Sequence, residues 1–212
     1  MTDQVLDQLL ASGVIAVLRA RDAQGLAQVA RALEAGGVRA LEISLTTPGA
    51  VAGIAELSRA GDEMLIGAGT VLDAAAARSV MDAGARFVVS PVLEPDVIRG
   101  CKERDIPCIP GALTPTEILG AWRAGAALVK LFPAAAVGPG FLRDVLAPLP
   151  FLRIVPSGGV TLDSVSDWIR AGAAAVSVGS TLLGAPPGEL SARARAFVAA
   201  VTTARQSMDR PA

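Results

Sequence analysis

The chain has 212 residues, enough for one α/β domain or two small ones, and its formal net charge of −1 comes without a basic cluster, so no nucleic-acid partner is expected. Hydrophobic residues make up 52%, enough for a large core, yet no apolar run reaches membrane length without Lys, Arg, Gly or Pro, so no membrane partner is expected either. Histidine and tyrosine are absent, which excludes Ser-His and Cys-His nucleophile systems, a histidine general base and a histidine-ligated metal.

Residues 2–11 read as a leading helix. Asp3 and Asp7 precede the short apolar run 14–18, unlike a secretory leader with its basic start, and a cytoplasmic location is expected. Residues 13–18 predict a first strand, followed by Arg19, and 22–36 an amphipathic helix stopped by Gly36-Gly37. Residues 39–45 form a second strand that contains Glu42. Thr47-Pro48 then predicts a helix start, with a capping threonine and proline at the first helical position. A third strand over 63–68 runs into Gly67-Ala68-Gly69-Thr70, and its helix spans Asp73 to Gly84. The fourth strand, 86–90, ends in Ser90-Pro91 and leads to a helix over about 94–104.

The fifth strand, 106–110, closes on Gly111. Thr114-Pro115-Thr116-Glu117 is a capping box for a helix that stops at Gly125. Residues 127–133 are a sixth strand containing Lys130, with a helix near 139–147. The seventh strand, 152–156, ends in Ser157-Gly158-Gly159-Val160. A helix runs from there to Gly172, the eighth strand is 174–178, Gly179-Ser180 follow, and a last helix spans 188–205. Cys101 and Cys108 flank a helix-to-strand turn and read as buried thiols, not a disulfide framework.

Eight strands alternating with helices is the count of a (β/α)₈ TIM barrel, here with a leading helix and with residues 1–212 as one domain. Ala35-Gly36, Ala83-Gly84, Ala124-Gly125 and Ala171-Gly172 repeat one helix-to-strand junction along the chain. A doubly wound open sheet competes, but it calls for a glycine fingerprint after the first strand, where Arg19-Ala20-Arg21 stands.

In such a barrel the C-terminal strand ends meet at one mouth, where chemistry sits. Only Lys102 and Lys130 among the nineteen basic residues are lysines. Lys130 in an apolar strand either snorkels or pairs at the strand end, or it supplies an amine that forms an imine, which arginine cannot do. Removing an amine from water favours its neutral, nucleophilic form. Glu42 is the one acid in the interior of a predicted strand, either a structural partner for Lys130 or a general acid/base. Arg19 is a strand-end charge or a clamp for a substrate carboxylate. Thr70 alone reads as a turn residue. Gly158-Gly159 and Gly179-Ser180 form tight turns, or let backbone N–H groups approach a phosphate.

Leu41-Glu42-Ile43, Gly67-Ala68-Gly69-Thr70-Val71, Ser90-Pro91, Pro110-Gly111, Lys130-Leu131-Phe132-Pro133 and Pro156-Ser157-Gly158-Gly159-Val160 occur in this order. Together they resemble the 2-dehydro-3-deoxy-phosphogluconate (KDPG) and 4-hydroxy-2-oxoglutarate (KHG) aldolase family over residues 13–184. The resemblance implies a class I aldolase, usually a homotrimer, that needs no metal or organic cofactor and acts on a small 2-oxo acid, a phosphorylated sugar acid. It implies a Schiff base on Lys130 and proton transfer by Glu42. It puts Thr70, Pro91 and Phe132 around the pyruvyl part and Gly158, Gly159, Gly179 and Ser180 around the phosphate. Many members carry arginine four residues after the glutamate, where this chain has Thr46, so carboxylate binding moves to Arg19. Ser157 keeps the hydroxyl typical of members that act on the gluconate-derived substrate, while the galactonate-derived epimer remains an alternative. A phosphosugar isomerase or epimerase, or a non-catalytic phosphometabolite-binding protein, are the readings from other classes.

Overall fold

In the computed structural model, which describes residues 2–60, 63–186 and 188–208, helices and parallel strands alternate along the chain. The helices are α1 (Thr2–Ala11), α2 (Leu26–Ala35), α3 (Ala50–Arg59), α4 (Ala74–Asp82), α5 (Pro95–Glu103), α6 (Pro115–Arg123), α7 (Gly138–Leu146), α8 (Val165–Arg170), α9 (Ser180–Leu183) and α10 (Leu190–Met208). The strands are β1 (Val14–Leu18), β2 (Ala40–Ser44), β3 (Leu65–Gly69), β4 (Val88–Val89), β5 (Cys108–Ile109), β6 (Gly111–Ala112), β7 (Val129–Leu131), β8 (Ile154–Pro156) and β9 (Val176–Val178). No helix among the described residues is long and apolar enough to cross a membrane.

The strands form one sheet in the order β5-β4-β3-β2-β1-β9 and a second in the order β6-β7-β8. Val17 pairs with Glu42 and Glu42 with Gly67, while Lys130 pairs with Gly111 on one side and Val155 on the other. Beyond the end of β8, Ser157 makes a parallel bridge to Ser177 of β9. The strand expected over 106–110 is observed as β5 alone, and β6 follows beyond Pro110, which has no N–H to donate to a ladder. On one side of it Ser90 donates its N–H to Ile109 (3.2 Å), and on the other Lys130 donates to the Pro110 carbonyl (2.9 Å). β5 and β6 thereby serve different sheets.

Alternation along the strands sorts side chains into two apolar layers. Leu41, Ile43, Val129, Leu131, Val176 and Val178 face the helices and join the larger cluster. The opposite face is filled by Ile15, Ala40, Leu65, Phe87, Ile109, Leu128, Val155 and Ala175, and α1 adds Val5, Leu6 and Leu9. Each of these large side chains stabilises the fold by about 1.5–3 kcal/mol through burial. Cys101 and Cys108 are both buried and free. The hydrogen bond with Cys101, and burial after it, push the Cys108 thiol far up, so it stays protonated.

Two local expectations fail. Thr47-Pro48 does not start a helix: α3 begins at Ala50 after Gly49, which takes a left-handed φ of 78°. Thr47 is buried instead, and its hydroxyl accepts the Ala20 N–H at 3.1 Å across the neighbouring strand end. The helix expected from residue 22 starts only at Leu26, because Gly25 also takes a left-handed φ, 72°. The one-turn helices 134–136 and α9 carry no periodic signal in the sequence.

The capping box of α6 is present: Thr114 accepts the Glu117 N–H (3.3 Å), and Glu117 accepts the N–H groups of Thr114 (2.8 Å) and Leu113 (2.9 Å). Those backbone bonds, led by that from Thr114, hold the Glu117 carboxyl below its ordinary range. A depressed carboxyl contributes stability above the unfolded-state pKa and loses it as pH falls through the folded-state value. Thr114→Ala is expected to lower the unfolding free energy by about 1 kcal/mol in urea titrations. Glu117→Gln should flatten the acid limb of the stability–pH curve, and an unchanged limb would show that this carboxylate contributes nothing.

Candidate active site

The C-terminal strand ends surround a cavity of about 540 Å³. Its wall includes every residue singled out from the sequence: Arg19, Glu42, Thr70, Pro91, Lys130, Phe132, Ser157, Gly158, Gly159, Gly179 and Ser180. It also includes Val17, Val160, Ser177, Thr181, Leu183 and Gly184, which sequence reasoning did not select.

Lys130 and Glu42 reach this wall because their neighbours do not. Val129 and Leu131 on β7, and Leu41 and Ile43 on β2, turn toward the helices, so the residue between each pair turns inward. The Lys130 Nζ lies 3.6 Å from Glu42 Oε1, with the two side chains 9% and 2% exposed. The same Nζ sits 5.4 Å from the centre of the Phe132 ring, within cation–π range. Gly69 leaves the space that the glutamate occupies, since a Cβ added there would overlap Glu42 Oε1. A buried ion pair of this kind gives little net stability, because desolvation offsets the attraction. What it supplies is an amine and a carboxylate in contact, shielded from water and open to one cavity.

Beside the pair runs a line of hydroxyls. Ser44 Oγ is 2.8 Å from Thr46 Oγ1 and 2.8 Å from Thr70 Oγ1, and Ser44 is fully buried. Thr70 holds a left-handed φ of 61°, a costly conformation for a β-branched residue at about 1–2 kcal/mol. The Ser44 bond returns about 1 kcal/mol of that and fixes the Thr70 hydroxyl at the cavity wall. Strand alternation places Ser44 on the Glu42 face, a signal that was present in Leu41-Glu42-Ile43-Ser44.

On the opposite wall the chain turns tightly after β8. Ser157 and Gly158 carbonyls accept the N–H groups of Ala134 (2.8 Å) and Ala135 (2.9 Å). Gly159 has φ 90°, and a Cβ there would overlap the Ala135 methyl, so only glycine lets the backbone follow this path. The Thr181 hydroxyl donates to the Val160 carbonyl at 2.7 Å and ties the turn after β8 to the start of α9. Arg19 stands exposed at the rim with no ion-pair partner among the described residues. Ser177 is buried on β9, and the polar residue between two valines was the available signal for it.

The ion pair predicts a stability pattern. Lys130→Met leaves a buried carboxylate unpaired and should cost about 3 kcal/mol or more in urea unfolding. Adding Glu42→Leu should restore at least the parent stability. A double variant as unstable as the sum of the two single variants would show that the pair is not coupled.

The chain is similar to known proteins along most of its length. The family model for KDPG and KHG aldolase matches residues 5–191. A 2-dehydro-3-deoxy-phosphogluconate aldolase of Treponema pallidum is 36% identical over 167 residues, 78% of each chain. A 2-dehydro-3-deoxy-6-phosphogalactonate aldolase of Escherichia coli is 35% identical over 198 residues, 91% of this chain and 96% of its own. The solved KDPG aldolase of Legionella pneumophila, with pyruvate captured as a covalent carbinolamine, superposes with a TM-score of 0.79 at 28% identity, over 96% of this chain and 98% of that one. This chain belongs to the KDPG and KHG aldolase family, a family of carbon–carbon lyases.

Proposed function

We propose that the chain cleaves 2-dehydro-3-deoxy-6-phosphogluconate to pyruvate and glyceraldehyde 3-phosphate through a Schiff base on Lys130, with 4-hydroxy-2-oxoglutarate, giving pyruvate and glyoxylate, as a second substrate. The observation that carries this is the amine of Lys130 buried at 3.6 Å from the Glu42 carboxylate on a cavity wall. The covalent carbinolamine of the Legionella relative supports the same chemistry. Lys130 passes a proton to the Glu42 carboxylate, its neutral amine attacks C2 of the 2-oxo acid, and the Glu42 carboxyl then protonates the departing hydroxyl so that water leaves and the iminium forms. The Glu42 carboxylate, restored by that step, takes the C4 hydroxyl proton as the C3–C4 bond breaks, the bond's electron pair enters the iminium to give an enamine, and the aldehyde departs. Protonation at C3 and hydrolysis release pyruvate and regenerate the amine.

Thr70, Pro91 and Phe132 hold the pyruvyl part in this reading. Arg19 binds the carboxylate at the rim, and Ser157 faces the hydroxylated carbons. Gly158, Gly159, Gly179 and Ser180 hold the phosphate through backbone N–H groups. The galactonate-derived epimer is the second reading, favoured by the likeness to the E. coli phosphogalactonate aldolase.

We also infer that β5 and β6 are halves of one strand, that the sheets close as an eight-stranded (β/α)₈ barrel forming one domain, and that the chain is cytoplasmic and works as a homotrimer. The pairing of β5 with β4 and of β6 with β7, and the Ser157–Ser177 bridge, support closure. Light scattering should return three times the chain mass, and a monomeric mass would refute the trimer.

Borohydride reduction with pyruvate, followed by peptide mapping, should attach pyruvate to Lys130. Lys130→Arg should abolish both the adduct and turnover. Glu42→Gln should slow kcat roughly 10²–10⁴-fold with phosphate affinity retained. An adduct confined to Lys102, or none, would overturn the aldolase reading in favour of an isomerase or a binding protein.

A further inference from the structure

Ser177 Oγ is buried and has no hydrogen-bond partner among the described residues, and it is the single buried side-chain nitrogen or oxygen of which this is true there. The residue is 3% exposed and lines the cavity. Val176 and Val178 beside it belong to the apolar layer under the helices, so strand alternation turns Ser177 away from that layer and toward the cavity. A buried hydroxyl left unpaired is destabilising, and alanine at this position would remove the penalty at no loss of packing partners. A bare hydroxyl in a ligand-binding wall has an explanation if its partner arrives with the ligand.

Its surroundings say which part of a ligand that is. On one side Ser177 pairs with Ile15, which offers no hydrogen bond from its side chain. On the other it bridges to Ser157, so the two serines that line the cavity sit on adjacent strands, with backbones about 5 Å apart. Under the aldolase reading, on which this inference rests, the imine forms on β7. The phosphate is held by the turns after β8 and β9. A carbon chain joining those two points crosses the β8–β9 seam, over Ser157 and Ser177, and the carbons that cross it bear hydroxyl groups.

We propose that Ser177 is a specificity-determining residue: with Ser157, its hydroxyl hydrogen-bonds the hydroxyl on the carbon next to the phosphorylated carbon of a sugar-acid phosphate, and so selects hydroxylated phosphates over deoxy ones. A site built to pair a substrate hydroxyl rejects the analogue that lacks it, because its own polar group is then left bare.

The test compares sn-glycerol 3-phosphate with 3-hydroxypropyl phosphate, which lacks the central hydroxyl, by NMR titration of the full chain. The parent should bind the first about tenfold more tightly. Ser177→Ala should lower the ratio about threefold by weakening the first ligand alone, the remainder resting on Ser157, with a melting temperature equal to or above the parent's. A parent that does not discriminate or binds neither phosphate, or an alanine variant that keeps the parent ratio, would overturn the proposal. Loss of the folding transition in Ser177→Ala would also overturn it, by assigning the hydroxyl a structural task. Borohydride trapping of pyruvate on Lys130 reads the aldolase assignment separately. An adduct together with an unchanged ratio sinks only the role of Ser177, whereas absence of the adduct sinks the aldolase reading and leaves the phosphate ratio to decide Ser177.

Discussion

An ammonium-bearing side chain and a carboxylate 3.6 Å apart, almost closed to water, make the constraint on which the rest of the site depends. Either charge alone in that position would lose its hydration with nothing in return. The neighbouring structure is arranged around this fact. Leu41, Ile43, Val129 and Leu131 take up the helix-facing positions, so the charged pair meets on the other face. Gly69 has no side chain where Glu42 needs room, and the Phe132 ring lies near the amine. Because such a pair adds little to stability, its presence is understood through the chemistry it permits, not through the fold it supports.

The molecule separates these two duties by depth. Near the N-terminal strand ends, Ile15, Leu65, Phe87 and Leu128 fill the inner face with α1 packed on them. One step toward the C-terminal ends the inward residues change to Glu42, Lys130, Ser157 and Ser177. Strand alternation alone converts a repeat of two into this change of chemistry, with an apolar plug beneath and a polar cavity above.

Much of this was legible in the chain. Charged residues are seldom buried, so a lysine and a glutamate inside apolar strands stood out, and glycines clustered after strands marked the opposite wall. The α6 capping box was readable because both partners lie within four residues. What escaped depends on partners far away in sequence. Thr47 before a proline satisfies a local rule for a helix cap, but its hydroxyl belongs to Ala20, 27 residues back. β5 and β6 on either side of Pro110 pair with different neighbours, a matter of pairing that no short window contains. Ser177 sits in a run of alanines and valines and looks like one more small residue until its empty surroundings are known.

The line Thr46–Ser44–Thr70 carries a consequence of its own. Each hydroxyl has one proton, and either atom of both contacts can be the donor, so the three O–H vectors can run in either of two senses. A carboxylate at Thr70 can only accept, so its arrival selects the sense that points toward it and aligns the exposed Thr46 hydroxyl as the tail of the row. The wall can thus change its polarity to match an anion by rotating three protons, with every heavy atom left in place.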